Sequence, residues 1–206
     1  MQERLNGLRM PEADRARLMF LVTAHALTDV QRLNRVLDGS RSETSAEHSW
    51  HLALSAVMLS EHAGPTVALE RVVEMLLVHD IVEVDVGDVP IYDTAERLAI
   101  AELEDRAADR LFALLPEPEG SYYRALWSEF EDAETDDARF ARALDRLQPI
   151  LVHWAGNGTV WRERGTTVDD ERQLIAVIEE HWPPLAPLAT AIIEDAIERG
   201  MLVRSP

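Results

Sequence analysis

His48, His79, Asp80 and Asp145 are the side chains of this sequence best suited to chemistry. His79 and Asp80 are adjacent inside an apolar run, Val72 to Val82, whose spacing reads as helix. Two titratable groups at the buried centre of such a run need partners, because burying them unpaired is costly. A divalent cation satisfies both at once, since neutral imidazole and carboxylate are ordinary ligands for borderline metals. Neighbouring helical residues project about 100° apart, so the two share a cation only if it lies between them. His48 and Asp145 fall on other predicted helices that can converge on the same point.

Each candidate has a plainer reading. His48 shares a helical stripe with Leu52, Ser55 and Leu59, where a core histidine is common, and His51 competes for the same face. Asp145 lies within helical reach of Arg139, Arg142 and Arg146, so a surface ion pair also explains it. His153 and His181 have no ligand-spaced neighbours. The five tryptophans form no helical-spacing box and read as core or interface. Gly156-Asn157-Gly158 lacks the strand–loop–helix setting of a phosphate loop and reads as a loop beside the site.

The elements that must position these groups are helical. Glu12–Leu37 carries apolar residues at helical spacing and stops at Asp38-Gly39-Ser40. Thr44-Ser45-Ala46-Glu47 reads as a capping box opening a helix to about His62. Further helices are predicted over about 67–84, 94–115, 122–134 and 136–153, the last interrupted near Pro149. A loop over 155–170 precedes two C-terminal segments divided by Pro183-Pro184. No sustained period-2 pattern appears. The expectation is an all-α, single-domain bundle over 1–206, with a core at about 31–151 and C-terminal helices at 170–203 packing on it.

Composition narrows the function classes. With 38 acidic against 20 basic residues the formal charge is −18, which repels nucleic acid and anionic membranes at long range. The sequence has no cysteine, so disulfides, thiolate metal sites and thiol catalysis are excluded and any metal is held by nitrogen and oxygen. Neither a secretory leader nor a membrane-length apolar run is present, and a cytoplasmic setting is expected.

Glu47-His48-Ser49, then Val78-His79-Asp80-Ile81-Val82-Glu83 with Gly87-Asp88-Val89-Pro90, then Leu144-Asp145, resembles the HD-domain metal-dependent phosphohydrolases. Within them the likeness is to the 5′-deoxynucleotidases, over about 31–151. The resemblance implies an HD-type helical bundle. It implies one divalent cation (Mn, Co, Fe, Ni, Zn or Mg) held by His48, His79, Asp80 and Asp145, with Glu83 and Asp88 as active-site acids. It implies that Arg35 stands near a substrate phosphate and that the substrate is a small phosphate ester, chiefly a nucleoside 5′-monophosphate. A homodimer is implied, with neither nucleic acid nor membrane as partner. Val36 occupies the position of a tryptophan tied in bacterial members to deoxyribose preference, so the resemblance leaves the choice between ribo- and deoxyribonucleotides open. Diiron oxygenases and cyclic-dinucleotide phosphodiesterases of similar fold need further ligands, and no second ligand-spaced histidine pair follows His79-Asp80. Another phosphate ester as substrate, or a non-catalytic helical dimer or ligand-sensing module with a structural metal, are the alternatives.

Overall fold

In the computed structural model, which describes residues 2–88 and 94–203 (side chains at 2, 6 and 94–98 excepted), two helices packed side by side carry the middle of the molecule. They are α3 (Ser45–Met58) and α4 (Leu69–Val78), preceded by α1 (Gln2–Asn6), α2 (Glu12–Ala24) and a hairpin of β1 (Gln31–Arg35) and β2 (Ser42–Thr44). A one-turn α5 (Glu83–Val86) follows α4, then α6 (Thr94–Phe112), α7 (Glu119–Asp132) and α8 (Asp136–Ala155). A short α9 (Thr159–Arg164), α10 (Val168–His181) and α11 (Ala186–Glu198) complete the chain. The architecture is all-α apart from the two-stranded hairpin.

Packing centres on α8, which meets α3, α4, α7, α10 and α11. Its apolar spine, Phe140, Leu144, Leu147 and Ile150, joins Leu52 and Ala56 of α3, Met75 and Leu76 of α4, and Ile178 and Ile193 of the C-terminal helices in one hydrophobic core. A second cluster, Ile81, Val82, Leu111, Phe112 and Trp127, seats α6 and α7 against the segment after α4. The C-terminal helices pack on α8. Among the described residues no helix is long and apolar enough to cross a membrane.

Five local expectations are corrected. The helix predicted over Glu12–Leu37 ends at Ala24, and a 3-10 turn at His25–Thr28 leads into β1. Asp38-Gly39 is the tip of the hairpin, with Gly39 at φ +71°, and not a helix stop; turn chemistry of this kind serves either purpose. The helix predicted over about 67–84 breaks after Val78, so His79 and Asp80 lie in the turn between α4 and α5. The predicted loop over 155–170 contains α9, set between left-handed glycines at 158 and 165. Pro149 does not interrupt α8, which runs through it. Having no N–H, Pro149 leaves the Asp145 carbonyl without its helical donor.

Candidate metal centre

The capping box at the head of α3 is formed as the sequence suggests. Thr44 Oγ1 accepts from the Glu47 amide (3.2 Å) while the Glu47 carboxylate accepts from the Thr44 amide (3.0 Å). With the first turn fixed, His48 is fully buried and points toward α8. On α8, Asp145 and Gln148 are three residues apart and share the face toward α3. His48 Nε2 lies 3.0 Å from Asp145 Oδ1, and His48 Nδ1 lies 3.2 Å from Gln148 Oε1. The Gln148 amide group donates to Glu43 Oε1 (3.0 Å) and to His51 Nδ1 (3.1 Å). That fixes its orientation, because the reversed amide would set oxygen against the Glu43 carboxylate. His48 therefore carries its proton on Nδ1 and turns Nε2 to the cluster.

His79 is held with equal definition. Its Nδ1–H donates to the Leu76 carbonyl (2.9 Å), satisfying a group that the end of α4 leaves free. Trp127 Nε1–H donates to the His79 carbonyl (2.9 Å), and Phe130 packs edge-on against the ring at 4.9 Å. His79 Nε2 is buried and has no hydrogen-bond partner among the described residues, although Asp80 Oδ1 is 3.1 Å away in poor geometry. Ligand atoms of His48, His79 and Asp145 all lie within 4.8 Å of one another. Asp80 borders this trio, with Oδ2 4.0 Å from His48 Nε2. An unpartnered imidazole nitrogen facing a second imidazole and two carboxylates fits a divalent cation with nitrogen and oxygen ligands.

The electrostatics point the same way. Burial alone would lower the His79 pKa, but Asp80 and Asp145 override it and raise it to about 9. Burial alone would raise Asp80, but His79, Arg32 and His48 hold it down at about 2. Asp145 is likewise kept well below the usual carboxylate range against its burial, by Arg146 and His48. Such a cluster favours positive charge in its middle.

Glu83 begins α5, about one turn beyond His79, and accepts a hydrogen bond from Ser45 Oγ. Burial, reinforced by Asp80, pushes its carboxyl up to about 8. Asp88 sits beside the hairpin, where its Oδ2 accepts from the Leu33 amide at 3.3 Å. Val89 and Pro90, the end of the Gly-Asp-Val-Pro motif, lie outside the described residues.

Arg35 is not brought to the cluster. Its Nε donates to Glu163 (2.9 Å) and its Nη1 to the Gly39 carbonyl (3.1 Å). The reason is strand geometry: alternate residues of β1 face inward, so Arg32 and Asn34 are turned in while Leu33 is exposed and Arg35 sits at the outer edge. Arg32 takes the inward place, with Nη1 2.8 Å from Asp80 Oδ2 and 3.8 Å from Glu83 Oε1. Sequence reasoning missed Arg32, Gln148, Ser45 and Trp127. For Arg32 the usable signal was the Asp38-Gly39 turn, which, taken as a hairpin tip, makes the preceding residues a strand. His51 does not join the ligands, because Gln148 engages its Nδ1. His153 hydrogen bonds Asn34 Oδ1 at 3.1 Å.

Comparison with known proteins places this arrangement among relatives. The family model described as HD domain matches residues 24–182. The bovine protein named 5′-deoxynucleotidase HDDC2 is 31% identical over 136 residues, covering 65% of this chain and 64% of that protein. The chain thus spans just under two thirds of that relative's length. The human protein of the same name is 29% identical over 138 residues, with 66% of each covered. A solved structure from Magnetospirillum magnetotacticum MS-1, described as a predicted metal-dependent phosphohydrolase, superposes with a TM-score of 0.85. It is 43% identical, and the match covers 93% of this chain and 96% of that one. An HD-domain phosphohydrolase from Listeria innocua shares the fold at 19% identity, with a TM-score of 0.62 over 90% of this chain and 95% of its own.

Proposed function

The chain belongs to the HD-domain family, and on that premise we propose that it is a metal-dependent phosphomonoesterase acting on (deoxy)nucleoside 5′-monophosphates. One observation carries the reading: His48, His79 and Asp145, drawn from three separate segments, meet around an unpartnered imidazole nitrogen with Asp80 alongside. The names of the bovine and human relatives supply the substrate class, and the Magnetospirillum structure supports the reaction type.

His48, His79, Asp80 and Asp145 are the residues that would hold the cation. When bound, a divalent cation supplies Lewis-acid polarisation of a phosphoryl oxygen and a water of lowered pKa. The chain's own groups do the rest. Glu83, whose carboxyl is pushed upward by burial and by Asp80, would suit delivery of a proton to the departing 5′ oxygen. Asp88, which accepts from the Leu33 amide of β1 next to Arg32, would orient the attacking water. The buried walls of the cluster exclude bulk water, which strengthens each of these interactions. A homodimer accompanies the reading, supported by the exposed stripe of Trp50, Leu54, Val57 and Met58 along α3; sedimentation of the purified protein checks it.

The direct experiment is phosphate release from a panel of ribo- and deoxyribonucleoside 5′-monophosphates with Mn²⁺, Co²⁺, Mg²⁺ or Zn²⁺, beside an Asp80→Ala variant. Metal-dependent release that falls by about a hundredfold or more in the variant is expected. Release indifferent to that substitution, or none from any nucleotide with any metal, rejects the reading.

A further inference from the structure

Trp50, Leu54, Val57 and Met58 repeat at i, i+4, i+7 and i+8 along the outer face of α3, and all are exposed, Trp50 by 62%. One large apolar side chain in solvent is ordinary, but a row of them marks a contact surface. Beside the row runs a groove of about 790 Å³ lined by Val36, Leu37, Leu151, Val152, Trp50 and His51. The Trp50 indole stacks along His51 with ring centroids 6.0 Å apart, and it also borders a second cleft with Thr28 and Gln31. A projecting indole and an apolar hollow thus share one face.

Charge selects what can cover that face. With a formal charge of −18, two copies of the chain repel one another over most of their surfaces. Here they do not. Glu47 is the only carboxylate on α3, and Arg41 neutralises it through two hydrogen bonds, at 2.7 and 2.5 Å. Of the other acids bordering the groove, Glu43 is buried and only Asp38 is exposed. A two-fold contact requires that the same patch supply both the projecting group and its receptacle, which this patch does. Tryptophan is also enriched at the energetic centre of such contacts.

We propose that this face joins two copies of the chain about a two-fold axis, each Trp50 seated in the groove of the other copy, and that the indole of the partner subunit closes the wall behind the metal centre. The interface stands apart from the phosphomonoesterase reading; its link to the metal centre rests on that reading and deepens it. Glu43 and His51 border the groove, and both accept hydrogen bonds from the Gln148 amide, at 3.0 and 3.1 Å. Gln148 Oε1 in turn lies 3.2 Å from His48 Nδ1. The groove is therefore two hydrogen bonds from a candidate ligand. Water in an open groove competes for those bonds, whereas a seated indole excludes it and strengthens them. The dimer is the form in which His48 is held most firmly.

Sedimentation velocity on the full chain at micromolar concentration, with no metal added, tests the interface. It is run on wild type, Trp50→Glu, Leu54→Glu and Leu103→Glu, the last an exposed apolar residue of α6. Wild type and Leu103→Glu should sediment as dimers and both α3 variants as monomers, because an unpaired carboxylate is costly to bury. Calorimetric titration of Mn²⁺ then reads the link, and both monomeric variants should bind about tenfold more weakly than wild type. Leu54 does not border the groove, so the loss in Leu54→Glu reports the absent partner. A monomeric wild type, or dimers that survive both α3 substitutions, overturns the proposal. So does a monomeric Leu54→Glu that binds Mn²⁺ within about threefold of wild type. Should Trp50→Glu fail to fold, Leu54→Glu decides alone. In a monomeric wild type, fluorescence quenching by adenosine that Trp50→Phe abolishes would give the groove to a small aromatic ligand instead. No Mn²⁺ uptake by wild type would refute the metal centre and the link with it, while failure of the nucleotide screen alone would refute only the substrate.

Discussion

Gln148→Met tests whether His48 of the candidate metal centre is oriented from behind. Gln148 is 2% exposed and joins three groups. It accepts from His48 Nδ1–H at 3.2 Å and donates to Glu43 at 3.0 Å and to His51 at 3.1 Å. Methionine keeps the length and volume of the side chain but supplies no donor and only a weak acceptor. Two effects follow. Glu43 Oε1 loses its donor in a buried setting that already contains the unpartnered Glu43 Oε2, costing about 1–3 kcal/mol of stability. His48, freed from its Nδ1 acceptor, can carry its proton on Nε2, where Asp145 accepts it and no lone pair is left for a cation. Removing such an orienting partner weakens metal binding by about 10–100-fold, or about 1.4–2.7 kcal/mol. Titration of Mn²⁺ into metal-free wild type and variant reads the second effect, and urea unfolding of the metal-free proteins reads the first. A folded variant whose Mn²⁺ affinity stays within about threefold of wild type would show that the Gln148 contact does not set the His48 tautomer.

His153 predicts a pH dependence of stability. It is 7% exposed, and burial, with Arg164 nearby, depresses its pKa from 6.5 to about 4. The unfolded chain therefore takes up the proton first. The stability from a neutral His153 is fully present above pH 6.5 and is lost as pH falls toward 4, by about 3 kcal/mol in all. His153→Gln, which can still donate to Asn34 but does not titrate, should flatten that limb in urea unfolding followed from neutral to acid pH; an unchanged slope refutes it. Trp127→Phe removes the donor to the His79 carbonyl at the end of α4. It should lower the urea-unfolding free energy by about 1 kcal/mol or more and weaken Mn²⁺ binding by a few fold, and a silent substitution would show that the turn after Val78 needs no such tether.

Much of the architecture is legible in the chain because it is written locally. Thr44 and Glu47 specify a helix start through side chains three residues apart, and the structure realises both bonds. Prolines 183 and 184 divide the last two long helices as their missing donors require. The hairpin is less visible. Val30, Leu33 and Val36 fit a helical stripe, and only the pairing of Gln31 with Thr44 and Arg35 with Ser42 turns them into a strand. Once that pairing is made, inward and outward positions are reassigned, and Arg32 replaces Arg35 at the cluster. The break after Val78 is also tertiary in origin, since it is stabilised by Trp127, a residue 48 positions further on. Histidine and aspartate can be singled out by their chemistry, whereas Gln148 has no sequence signal that distinguishes it from any other glutamine on a helix.

The two halves of the cluster lie far apart along the polypeptide. His48 meets Asp145 across 97 residues, Glu43 meets Gln148 across 105, and Asn34 meets His153 across 119. During synthesis from the amino end, His48, His79 and Asp80 all emerge well before α8 does. A growing or truncated polypeptide that stops short of α8 therefore has neither Asp145 nor the glutamine that orients His48. The cluster is thus assembled only by tertiary closure, and no fragment lacking α8 contains all four of its residues.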